Sequence, residues 1–97
     1  MPEPELALVP ERYALHPNHP NPFNPETTIG FDLPEKSRVL LLIYNLKGQE
    51  VTCLIDREME AGCHRIPFNT NALPSGVYLY RLTAGEFTQI RRMLLLK

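Results

Sequence analysis

From Thr27 onward the chain is written in short runs whose apolar residues alternate with polar or small ones. Ile29, Phe31 and Leu33 fall on one side, as do His64, Ile66 and Phe68, and again Tyr78, Tyr80 and Leu82. A period of two is the mark of a half-buried strand, and these triplets are the expected core. The runs predict strands at about 27–33, 38–45, 50–56, 62–68, 76–84 and 87–96, with "RYAL" (12–15) as a short edge strand. No segment keeps a clean helical period. Short strands at this spacing predict an all-β antiparallel sandwich or barrel.

The segments between the runs read as turns. "PEKS" (34–37) and "LKGQ" (46–49) are turns, with Gly48 free to take positive φ, and "AGE" (84–86) is a tight hairpin turn with Gly85. "DREMEAG" (56–62) reads as a longer hairpin loop and "NTNALPSG" (69–76) as a wider connection. One run breaks the alternation. In "RVLLLIY", Val39, Leu41 and Ile43 fill one face while Leu40 and Leu42 fill the other. A strand apolar on both faces is covered on both or exposes a patch. Leu40 and Leu42 are therefore a candidate surface for self-association or for packing on a neighbouring domain.

Ahead of the first long strand lies a different text, "HPNHPNPFNPETT". Eight of the ten prolines stand in the first 34 residues. Residues 1–15 read as a Pro/Glu-rich linker, and 16–97 as the domain. Pro17, Pro20, Pro22 and Pro25 push each preceding residue out of the helical region. Asn18, Asn21 and Asn24 are suited to holding turns with their side chains. Phe23 is the apolar residue of this lead-in and is expected to anchor it against the sandwich, where it would blunt an edge strand.

Composition narrows the function. Ninety-seven residues with a net charge of −1 make a single small domain without the basic excess of a dedicated nucleic-acid binder. No apolar run approaches a membrane span, and "MPEPELALVPERY" lacks the plan of a signal peptide. Charge is nonetheless uneven. Glu3, Glu5 and Glu11 load the first eleven residues, and Arg91, Arg92 and Lys97 load the last eleven.

Catalytic chemistry is not written here. There is no phosphate loop, no nucleophile elbow and no pair of carboxylates placed for acid–base work, so no enzyme is expected. His16 and His19 read as solvated loop residues, and His64 as a core or half-buried residue bonded to backbone. No metal site and no cofactor are expected. Cys53 and Cys63 flank the 56–62 loop, and in a hairpin centred near Glu58 they would face each other. A cross-strand disulfide is geometrically allowed there, with two small apolar residues as the plainer reading.

The order of the motifs resembles the type A C-terminal sorting domain of type IX (Por) secretion cargo. The matching pieces are Pro20-Asn21-Pro22-Phe23-Asn24-Pro25, Thr28 and Ile29, Leu33-Pro34, then Tyr44, Gly48 and Val51. After them come Ala61-Gly62, His64, Ile66, Ser75-Gly76-Val77-Tyr78, Tyr80-Arg81-Leu82, and Phe87, Arg91, Arg92, Met93, Leu95 and Lys97. Phe68 stands where the family usually has tryptophan, and Ile90 and Arg92 replace its usual threonine and lysine.

The resemblance implies an immunoglobulin-like sandwich of six to seven strands, similar to the domain of the flagellar hook-capping protein. It implies a sorting tag fused to an absent cargo, bound by the secretion machinery and removed by a sortase. Cleavage would fall in or before residues 1–15, with the product secreted or held at the cell surface. Arg91, Arg92, Met93, Leu95 and Lys97 are the implied recognition residues. Pro20 to Pro25, Gly48, Gly76 and Tyr78 are the structural motif. The alternative is an assembly module of the hook-capping kind.

Overall fold

The computed structural model describes residues 9–70 and 72–97. Seven strands build two antiparallel sheets: β1 (Ala14–Leu15), β2 (Glu26–Leu33), β3 (Ser37–Tyr44), β4 (Glu50–Met59), β5 (Gly62–Asn69), β6 (Gly76–Ala84) and β7 (Phe87–Leu95). The three-stranded sheet has the order β1-β2-β5, and the four-stranded sheet β4-β3-β6-β7. The architecture is the expected all-β, immunoglobulin-like sandwich.

The alternating residues meet between the sheets. Ile29, Phe31 and Leu33 of β2 are fully buried against Val39, Leu41 and Ile43 of β3 and Tyr78, Tyr80 and Leu82 of β6. On β5 only Phe68 is fully covered, while His64 and Ile66 are half-buried. The reason is position, because β5 is a sheet edge. His64 still uses its place: its ring stacks 5.3 Å from that of Phe31 and Nε2 donates to the Glu60 carbonyl at 2.8 Å.

Two expectations give way. The 56–62 segment is not a hairpin loop. β4 runs on to Met59, which pairs with Ser37 and is 7% exposed. The chain then crosses to the other sheet through Glu60 and Ala61. The polar run Asp56–Glu58 lies along an edge strand whose inward register is set by Ile55 and Met59. Cys53 (in β4) and Cys63 (in β5) consequently sit in different sheets and are not bonded to each other.

The second correction concerns β3, which is interior to its sheet. Leu42 lies between Cys53 and Arg81 in register, and it is 7% exposed. The Arg81 guanidinium lies over the Tyr44 ring at 5.3 Å, so its stem runs across the outer face. Leu40, opposite Asp56 and Thr83, is half-buried. The domain's own chain thus covers most of the proposed self-association patch.

The sandwich also begins before residue 16. Ala14 and Leu15 pair with Asp32 and Phe31, and Leu15 is 1% exposed. Tyr13 stacks on Phe87 with ring centroids 5.5 Å apart. Residues 1–8 of the expected linker lie outside the described residues.

Two bonds fasten this beginning across the core. The Tyr80 hydroxyl donates to the His16 carbonyl at 2.8 Å, and Arg91 Nε donates to the Leu15 carbonyl at 2.6 Å. Burial pushes the Tyr80 phenol above its ordinary value, and the Asn18 amide and the Arg91 charge pull less strongly the other way. Tyr80→Phe is expected to cost about 1–2 kcal/mol, because it leaves a carbonyl unsatisfied. The raised phenol favours the folded state fully below about pH 10, and that contribution is lost as pH climbs through the folded value. Urea melts from pH 7 to 11 check both points: the variant should be weaker at pH 7 and lose less stability in alkali.

Candidate functional site

The two most motif-like parts of the chain are some seventy residues apart, yet they form one surface. Pro22 and Pro25 offer no N–H, so the lead-in between them has few donors. Phe23 keeps both backbone groups and gives them to the last strand. Its N–H donates to the Leu94 carbonyl at 3.0 Å, and its carbonyl accepts from the Leu96 N–H at 3.0 Å. Asn21 Oδ1 accepts the Leu94 N–H at 3.0 Å, standing in for a neighbouring strand. The β7 edge, otherwise open at this end of the sheet, is thereby closed by the lead-in.

Side chains lock the arrangement. Phe23 is 2% exposed, its ring 6.5 Å from that of Phe68. Buried Asn18 donates through Nδ2 to Thr27 Oγ1 at 3.0 Å and to the Pro20 carbonyl at 3.2 Å. Thr70 donates to the Pro25 carbonyl through both its amide and its hydroxyl. The peptide bonds before Pro20, Pro22 and Pro25 are cis. On the other side Ser75 Oγ accepts the Lys97 N–H, and the Tyr78 hydroxyl donates to the Pro74 carbonyl, so the 74–76 turn is tied to the C-terminal segment. Gly48 lies elsewhere, in the β3–β4 turn, where its φ of 84° requires glycine.

The recognition residues implied by the resemblance separate. Met93 and Leu95 are 1% and 0% exposed, on the inner face of β7. Arg91 shares that face and is half-buried, with Nε committed to Leu15. Arg92 and Lys97 are exposed. The outward residues are therefore Ile90, Arg92, Leu94 and Leu96, and Ile90 and Leu96 are 55% and 50% exposed. The same alternation that sends Met93 and Leu95 inward implies these outward positions, of which only Arg92 is among the residues the resemblance implied.

Two shallow clefts flank Pro22. One, of about 320 Å³, is lined by Asn21, Pro22, Val77, Arg92, Met93 and Leu94. The other, of about 460 Å³, is lined by Pro20, Pro22, Phe23, Asn24, Leu96 and Lys97. Each combines apolar walls with one cation, a surface suited to an extended peptide that carries an acidic or carboxylate group. The cysteines take no part. Desolvation first, and the neighbouring Asp32 carboxylate second, raise the Cys63 thiol above its usual range and keep it protonated.

A family model described as the secretion system C-terminal sorting domain matches residues 18–96. The match thus runs from the buried asparagine of the lead-in to the last backbone bond of the lead-in with the C-terminal segment. No curated protein matches the chain. A structure solved in work on PorZ superposes with a TM-score of 0.58 at 16% identity. PorZ is described there as an essential bacterial surface component of the type-IX secretion system of Porphyromonas gingivalis. The overlap takes in 88% of this chain and 11% of that one, and it speaks to the fold.

If Phe23 fastens the surface, Phe23→Ala should cost about 3–5 kcal/mol. In milder form, Phe23→Leu should keep the fold while the Leu94 and Leu96 amides exchange with deuterium faster than those of β3. Unchanged protection at those two amides would show that the lead-in does not hold the strand edge.

Proposed function

The chain belongs to the family of secretion system C-terminal sorting domains, and from that premise we propose that it directs an attached cargo through the type IX secretion machinery. The family match over 18–96 carries the reading. The domain is a recognition tag. Its partner reads the ridge where the lead-in lies against β7, with Arg92 and Lys97 as charged contacts and Leu94 and Leu96 as apolar ones. Met93, Leu95 and Arg91 act from inside, by fixing how β7 is presented.

The cargo is fused ahead of the domain, and the precursor passes through the periplasm to the outside or the cell surface. A sortase then cuts upstream of the sandwich, in or before residues 1–15. Tyr13 and β1 are packed in the domain, which favours a bond before them as the accessible one. Mass spectrometry of the mature cargo checks this: a C-terminus within the sandwich, after residue 16, would refute it.

Export tests the main reading. A periplasm-directed reporter fused to residues 9–97 should leave a type IX-competent host. Arg92→Glu combined with Lys97→Glu should reduce export at least tenfold while circular dichroism and melting stay those of the parent. A folded double variant exported at the parent level would remove these cations from the recognition surface.

A further inference from the structure

On the face opposite that ridge, the three-stranded sheet carries a third cleft that the sorting role does not use. Its floor is the outer side of β2. Register brings its walls together: the His16 N–H donates to the Gly30 carbonyl at 2.9 Å, His19 bridges to Thr28, and Arg65 of β5 pairs with Gly30. These residues and Pro17 enclose about 450 Å³. Gly30 makes the space, because at this position of β2 a side chain would rise from the middle of the floor. A Cβ there would touch His16 and the His64 carbonyl at 3.6 Å, an ordinary contact.

The cleft is lined by hydrogen-bond donors. The side chains of His19, Thr28 and Arg65 make no hydrogen bond or ion pair among the described residues. His16 spends its Nε2–H on Asp32 at 3.0 Å and turns its Cδ2 edge toward the floor, so it serves as a wall of the cleft and not as a donor. Asp32 follows Gly30 on the same face of β2, outside the lining, where its carboxylate is held by His16 and by Cys63, and Glu26 lines a separate groove beyond Thr28. Unspent donors from three sides, with no carboxylate among the lining residues, call for an oxyanion. Arg65 alone would satisfy a planar carboxylate through its fork. Adding Thr28 and the His19 imidazole on other sides suits a tetrahedral group better.

We propose that the cleft formed by His16, His19, Thr28 and Arg65 over Gly30 binds a phosphate group. Titration of the folded, nitrogen-15-labelled domain with inorganic phosphate tests it, against sodium chloride and sodium acetate at equal ionic strength. Phosphate should shift the Thr28, Gly30 and Arg65 amides saturably, and acetate should bind several-fold more weakly. Arg65→Gln should weaken phosphate at least fivefold. Gly30→Val, which fills the floor with a strand-favouring residue, should abolish the shifts, and Arg92→Gln on the far ridge should leave them unchanged. Equal shifts with chloride or acetate, or unchanged affinity in folded Arg65→Gln, would overturn the proposal. Vesicles of phosphatidylglycerol then separate the two sources of the group. Sedimentation with them that is lost in Arg65→Gln marks a lipid headgroup, and phosphate binding without it marks a soluble ester.

Discussion

Two consecutive carbonyls, those of Leu15 and His16, hold this domain in its working shape. Each accepts a hydrogen bond from a side chain of the opposite sheet, Arg91 of β7 and Tyr80 of β6. The donors lie 76 and 64 residues further along the chain. Backbone groups in a thin sandwich must be satisfied locally or become costly. Here β1 has no second neighbour strand among the described residues, and side chains from across the core supply the missing partners. With that point fixed, the proline-asparagine lead-in has one path over the end of the sandwich, and Phe23 falls into the core beside Phe68.

Everything proposed for secretion depends on that path. An exposed final strand would invite indiscriminate pairing. The lead-in spends the strand's last edge groups on Phe23 and Asn21, so a partner meets side chains there. The proposed recognition surface is therefore composite. The C-terminal residues supply the cations, the lead-in supplies the walls, and neither is in place until the sandwich has closed. On that proposal the tag would be read only once its own fold is complete, unlike a linear peptide of the same residues.

The same lead-in shapes the opposite face. As it leaves β1 it runs beside β2, where His16 and His19 pair through their backbones with Gly30 and Thr28. One stiff segment thus borders both the C-terminal ridge and the donor-lined cleft. Its stiffness has a plain origin: proline fixes φ and limits the residue before it, so little conformational entropy is left to lose on docking.

Much of this was legible in the sequence. The period of two in β2, β3 and β6 marked those strands and their inward faces, because side-chain alternation is a local property of extended chain. The motif order gave the family, and Phe23 stood out as an anchor because it is apolar among prolines and asparagines. What the sequence left open is which strands share a sheet. Alternation is blind to partners, so β4 and β5 read as a hairpin and Cys53 and Cys63 as neighbours, when the chain in fact crosses between sheets. The charge of Arg91 was plain, but not its use inside the sandwich, and Leu40 and Leu42 looked like a patch until β3 proved interior. Those outcomes rest on contacts between residues dozens of positions apart, and only the closed tertiary structure brings such residues within bonding distance.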